Sequence, residues 1–296
     1  FTCKPNLHSA DFFIIFILNL KSVSMKTNVD EGYVSIAGNK IWYKIYGRGS
    51  SGIPLVAVHG GPGATHDYLL PLNALADERP VIFYDQLDCG NSDRPGDISK
   101  WTIEYFVSEL GELCSALNLT EYHLLGQSWG GTLAVEFALS KNSEGLKRLI
   151  LSAPLISTPR WFEDQRGYVN QLPQDMRETI NRCEAAEDYS NPEYQLAIAE
   201  FYSRHLCRIQ PYPEPLMKTF EKMNGAIYAH MWGPSEFTVN GTCKDYDASD
   251  RLSSIKIPVL FTCGEFDEAT PASLNYFAGL MSSASVHIFS DASHSH

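Results

Sequence analysis

The chain has 296 residues, 44% of them hydrophobic and 12% aromatic, ordinary proportions for a globular protein that buries a core. Its 35 Asp and Glu against 23 Lys and Arg give a formal net charge of −12, and no basic residues cluster into a stripe. Nucleic acid and anionic membrane surfaces are therefore excluded as expected partners.

Residues 1–24 stand apart from the rest. The apolar run Phe12 to Leu18 is too short to span a bilayer, but with Lys4 upstream and Ser22-Val23-Ser24 behind it has the length of a signal-peptide core. Met25 opens a normal-looking protein, so we read 1–24 as a leader or as sequence upstream of the true start, and leave it out of the fold. From Gly32, YVSIAG and KIWYKIYG alternate apolar and polar residues and predict a half-exposed hairpin. Short strands are expected at 53–60, 80–86, 122–128, 147–154, 257–265 and 285–290. Helical patterns lie between them over Asp67 to Ala76, Ile103 to Leu119 and Thr132 to Leu139. Strands apolar on both faces and alternating with helices predict a mainly parallel sheet in an α/β fold. The rhythm breaks between Leu155 and Asp250, where charged, aromatic and Pro residues accompany helical stretches at Pro173 to Ala186 and Pro192 to Arg208. We expect a helical cap over 155–250, inserted into a core made of 25–154 and 251–296.

The run Gly126-Gln127-Ser128-Trp129-Gly130-Gly131 follows the apolar Tyr122 to Leu125 and leads into TLAVEFALS. Strand, G-x-S-x-G and helix in that order make a nucleophile elbow, with Ser128 at the apex of a strained turn that needs small flanking residues. In α/β-hydrolases an acid and then a histidine follow the serine in chain order. Asp267, just past the strand ending at Cys263, and His294, just past the one ending at Ser290, fill those places. Asp267 would orient the imidazole, and His294 would move the Ser128 proton to the leaving amine. HGGPG at 59–63 supplies a glycine loop after an earlier strand, so the Gly61 and Trp129 N–H groups are the expected oxyanion donors. No Gly-Lys-Ser/Thr follows HGGPG, which disfavours a phosphate loop.

Seven cysteines, Cys3, Cys89, Cys114, Cys183, Cys207, Cys243 and Cys263, are irregularly spaced and include no C-x-x-C pair. Neither a disulfide framework nor a zinc site is indicated, so no metal and no cofactor is expected, and a reducing cytoplasm fits best.

HGGPG, DQLDCGNS at 85–92, GQSWGG, GEFDEATP at 264–271 and the late Ser293-His294 together resemble the prolyl aminopeptidases of peptidase family S33, the tricorn-interacting type above all. The resemblance extends through NPEYQ at 191–195 and MWGPSEFTVNGT at 231–242, and spans about Gly32 to His294. It implies an α/β-hydrolase fold and a serine exopeptidase that removes N-terminal residues, proline among them, from short peptides. Cooperation with a larger protease complex is a further implication. The same resemblance assigns Glu236 and Glu268 to the substrate's free α-amino group. Two carboxylates in a partly dry pocket repel unless a cation sits between them, and an N-terminal ammonium supplies one.

Two departures stand out. Asp88 occupies a place where the family usually has Gly, adding a charge near the donor loop. The sequence also stops two residues beyond His294, where family members continue into a final helix, so the His294 loop is expected to fray. Two other functions remain open on the residues alone. One is an amino-acid amidase or small-ester hydrolase, since a triad does not choose its acyl substrate. The other is a non-catalytic binding protein on the same scaffold.

Overall fold

The computed structural model describes residues 28–296, so the expected leader at 1–24 lies outside the described residues. Eight strands form one sheet in the order β1-β2-β4-β3-β5-β6-β7-β8. They are β1 Val29–Ile36, β2 Asn39–Tyr46, β3 Leu55–Val58, β4 Val81–Tyr84, β5 Tyr122–Gln127, β6 Leu146–Ser152, β7 Val259–Gly264 and β8 Ala284–Phe289. β1 and β2 make the predicted hairpin, turning through Ala37 and Gly38 at φ 46° and 81°. β2 joins the sheet antiparallel to β4, and every pairing from β4 to β8 is parallel. β3, β4 and β5 are buried along their whole length, which explains their unbroken apolar sequences. The predicted α/β-hydrolase architecture is the one found.

Around the sheet run α1 Ile103–Ala116, α2 Trp129–Leu139 and α8 Pro271–Gly279. Thr102 caps α1 by accepting from the Tyr105 N–H, and Thr270 caps α8 by accepting from Ser273 N–H. The segment expected to be helical over Asp67 to Ala76 is a 3₁₀ helix over His66–Leu75. Pro71 inside it has no N–H to give, which disfavours a regular α-helix there.

Between β6 and β7 lie α3 Thr158–Val169, α4 Gln174–Ala186, α5 Pro192–His205, α6 Glu214–Lys222 and α7 Gly225–Met231. They carry their own small core, in which Ile180, Tyr194, Phe201 and Phe237 are fully buried. Where this segment leaves and rejoins the sheet, Ser157 and Asp247 form an antiparallel bridge. The Thr158 N–H donates to the Tyr246 carbonyl at 2.8 Å and Ala248 N–H to Ile156 at 3.0 Å. Both strands of the neck are thus pinned together. Three loops past the carboxyl ends of β5, β7 and β8 then face these helices, where open α/β sheets form their sites.

Candidate active site

Ser128 sits directly between β5 and α2 at φ 54° and ψ −121°, a region that a residue with a Cβ enters only under strain. Its neighbours must be small for steric reasons. A Cβ on Gly126 would lie 2.2 Å from the Gly130 carbonyl oxygen, and one on Gly130 would lie 2.2 Å from that of Val58. The turn places Trp129 first in α2, where its N–H has no carbonyl one turn earlier to bond. Gly61, at φ 116°, bends the HGGPG loop so tightly that a Cβ there would lie 2.5 Å from the Gly63 nitrogen. Among the described residues neither the Gly61 nor the Trp129 N–H donates a hydrogen bond. Two backbone donors left open beside a strained serine are what an oxyanion site requires.

The acid and the histidine are brought together as expected. His294 Nδ1 donates to Asp267 Oδ1 at 2.8 Å, with both side chains buried. Asp267 also accepts the Ala269 N–H at 2.8 Å and the Gly264 N–H at 2.9 Å. Burial pushes its carboxyl up, but the His294 imidazole and His296 outweigh burial and hold it down at about 2. An ionised Asp267 fixes the tautomer that leaves Nε2 of His294 free to accept a proton. That nitrogen lies 3.9 Å from Glu268 Oε2, and no hydrogen bond joins it to Ser128 Oγ among the described residues. Such contacts commonly tighten only in the complex with substrate.

Rather than fraying, the loop that carries His294 is fixed to the helical segment. The His294 N–H donates to the His205 carbonyl at 2.9 Å and Ser295 N–H to that of Leu206 at 2.8 Å.

Glu268 is fully buried, and among the described residues neither of its carboxylate oxygens accepts a hydrogen bond. Burial, then the charges of Glu236 and Asp267, drive its pKa well above the ordinary carboxylate range. Glu236, half-buried after α7, accepts the Tyr228 hydroxyl at 2.6 Å. Its own pKa is raised by burial, against the Tyr228 hydrogen bond and the His294 charge. The structure thus gathers Asp267, His294, Glu268 and Glu236 in one buried cluster, and the residue before Ser128, Gln127, reaches the His294 carbonyl of that cluster.

The chain matches known proteins over most of its length. A family model described as alpha/beta hydrolase fold covers residues 53–295. A proline iminopeptidase of Heyndrickxia coagulans is 43% identical over 265 residues, which is 89% of this chain and 92% of that one. Another from Saccharolobus solfataricus is 40% identical over 282 residues, covering 94% and 90%. The chain belongs to the proline iminopeptidase family of α/β hydrolases. The crystal structure of the Mycobacterium smegmatis proline iminopeptidase is similar at a TM-score of 0.83 and 37% identity, covering 90% of this chain and 92% of that one.

Asp88, whose charge the sequence places near the donor loop, has structural partners. Asp88 adopts φ 64°, a left-handed conformation that Asp tolerates better than most residues. Its carboxylate accepts the Gly96 N–H and the Trp101 indole N–H, each at 2.8 Å, and its carbonyl accepts Asn224 Nδ2 at 2.9 Å. It acts as a buried tie between loops.

Sequence reasoning missed the residues that hold the site from the helical segment. Gln165 Nε2 donates to the Glu268 carbonyl at 2.8 Å and the Tyr168 hydroxyl to that of Asp267 at 3.1 Å. His205 Nδ1 reaches the Phe266 carbonyl at 2.9 Å, with its ring stacked on Tyr168 at 3.8 Å. Behind the donor loop, Gln86 binds the His59 carbonyl at 3.0 Å and accepts the Trp129 indole N–H at 3.1 Å. His296 Nδ1 lies 3.5 Å from the second Asp267 oxygen. None of these carries a local pattern that separates it from a surface or core residue; only the partners identify it.

Proposed function

We propose that this protein is a serine aminopeptidase that releases N-terminal residues, proline among them, from short peptides through an acyl-enzyme on Ser128. The observation that carries the reading is Glu268, a buried carboxylate with neither oxygen hydrogen-bonded among the described residues, next to Glu236 and 3.9 Å from the imidazole. A buried acid of this kind is costly to ionise and is relieved by a cation. The N-terminal ammonium of a peptide supplies that cation and donates charge-assisted hydrogen bonds to both acids. Held there, the first peptide carbonyl lies next to Ser128 because only one residue separates the amine from the scissile bond. His294 then takes the Ser128 proton as the oxygen attacks that carbonyl. The Gly61 and Trp129 N–H groups receive the negative charge that develops on the carbonyl oxygen. Collapse breaks the C–N bond, with His294 returning the proton to the departing amine, and water releases the acyl group by the same steps in reverse order.

The helical segment 155–250 serves in this reading as a cap over the amine, supported by its pinned neck and by its bonds to the Asp267–Glu268 and His294 loops. Kinship to the tricorn-interacting type, membership of peptidase family S33 and cooperation with a larger protease belong to the same reading and rest on the motif resemblance alone. A cytoplasmic location also belongs to it, supported by six cysteines buried as free thiols.

The test compares an unblocked prolyl or alanyl arylamide with its N-acetyl analogue on one preparation. Turnover of the free amine and none of the acetylated substrate is expected. Equal turnover of both would overturn the assignment of the carboxylates and, with it, the exopeptidase reading.

A further inference from the structure

Three segments must keep register for this chemistry: the loop bearing Gly61, the elbow bearing Ser128 and the loop bearing His294. A single polar chain runs through all three. The Gly60 N–H donates to the Tyr68 hydroxyl at 2.7 Å, and that hydroxyl donates to Gln127 Oε1 at 2.5 Å. Gln127 Nε2 donates in turn to the His294 carbonyl at 3.4 Å. The directions follow from the donor inventory. Tyr68 has one proton, and because its oxygen already accepts from Gly60, the proton goes to the amide oxygen of Gln127. The amide NH₂ is then left facing the His294 carbonyl.

The chain lies against the nucleophile. A Cβ on Gly60 would sit 2.8 Å from Gln127 Oε1, 3.0 Å from Ser128 Cβ and 3.1 Å from the Tyr68 hydroxyl. Gln127 is buried and immediately precedes Ser128. Tyr68 is anchored by its own N–H, which donates to Thr219 Oγ1 of α6 at 3.1 Å. Burial pushes its phenol pKa up, so the hydroxyl keeps its proton and the chain keeps its direction at neutral pH. These contacts do more than satisfy buried groups: through Tyr68 and Gln127 they join the three segments of the site.

We propose that Tyr68 and Gln127 are positioning residues that tie the oxyanion loop, the nucleophile elbow and the His294 loop into one geometry. The proposal rests on Ser128 being the nucleophile. Misplacing a reacting group by about 1 Å can cost roughly a hundredfold. Tyr68→Phe and Gln127→Leu each remove two links at nearly constant volume. Each is expected to lower kcat about ten- to a hundredfold, by misplacement of this order, while KM for an unblocked arylamide changes less than about threefold. Because the links act in series, the double variant should be no worse than the poorer single one, a non-additivity that independent structural roles do not give.

The rate at which a small fluorophosphonate labels Ser128 is the second readout, since it needs the serine, histidine and oxyanion donors but no substrate amine. Labelling should slow in both variants even if the wild-type protein proved to cleave no unblocked arylamide, which would sink the aminopeptidase reading alone. Wild-type labelling and kcat in folded variants would overturn the proposal, as would losses that multiply in the double variant. If Tyr68→Phe does not fold, Gln127→Leu is read by the same two measurements.

Discussion

Asp267 and Glu268 are neighbours in the chain and equally inaccessible to solvent, yet their surroundings differ in kind. Around Asp267 the backbone of its own loop turns two N–H groups inward and His294 adds a third donor. Around Glu268 no donor among the described residues reaches either oxygen, and a second acid, Glu236, stands close by. Burial is the same for both, so the partners decide the charge. One carboxylate is held ionised as a permanent part of the scaffold, and the other is left in a position that a bound cation stabilises.

Stability should register the contrast with opposite signs. The folded-state pKa of Asp267 lies near 2, below its ordinary value of 3.8. Its contribution is therefore fully present above the ordinary value and lost as pH falls through about 2. For Glu268 the folded-state pKa lies above the ordinary 4.5. Its contribution is present at acid pH and lost as pH rises through the folded value.

The largest expected effect follows from Asp267→Asn, which leaves the shape but presents the wrong partner to His294. It should lower kcat by about 10⁴-fold, the size seen when a triad acid is amidated in a serine protease. It should also destabilise the protein by about 2 kcal/mol at neutral pH, from a shift of nearly two pKa units. A stopped assay and a urea titration read both, and a variant as stable as wild type would mean that Asp267 is not the anchored acid.

Glu268→Gln comes next and should separate activity from stability. Losing a buried charge partner costs roughly 10²- to 10³-fold in kcat/KM for the free-amine substrate. Removing the unpaired acid should meanwhile raise Tm by roughly 2–4 °C at pH values well above its ordinary 4.5, where the raised folded-state pKa opposes folding. A fall in Tm there would show that Glu268 has a structural partner after all. Glu236→Gln should cost less, about tenfold, since that acid is half-buried and its Tyr228 hydrogen bond survives as one to an amide.

The smallest effect is on pH dependence. The substrate ammonium must replace a proton held by the Glu236–Glu268 pair, so KM for an unblocked arylamide should fall as pH rises toward the raised folded-state value of the pair, until the substrate amine itself loses its proton. A KM independent of pH would count against a protonated pair in the free protein.

Much of this was legible in the sequence, for reasons that are local. The elbow announces itself because a strand, a strained serine turn and a helix can be joined only with glycines at 126 and 130, and their spacing survives in one dimension. Fully buried strands read as continuous apolar runs, and the Asp267 and His294 loops fall at fixed places after two of them. The helical pattern over Asp67 to Ala76 corresponds to a helix at His66–Leu75, but its 3₁₀ character around Pro71 is not readable from apolar spacing. The expected fraying of the His294 loop was wrong for a different reason: its support comes from His205 and Leu206, about ninety residues earlier.

What the sequence determined by itself is the reaction class, because the proposed nucleophile, acid, base and donors each occupy a recognisable local pattern. Tertiary structure alone decided how two adjacent acids divide their work. An acid's charge state depends on which donors surround it, and those around Asp267 and Glu268 come from loops and helices that only folding brings together.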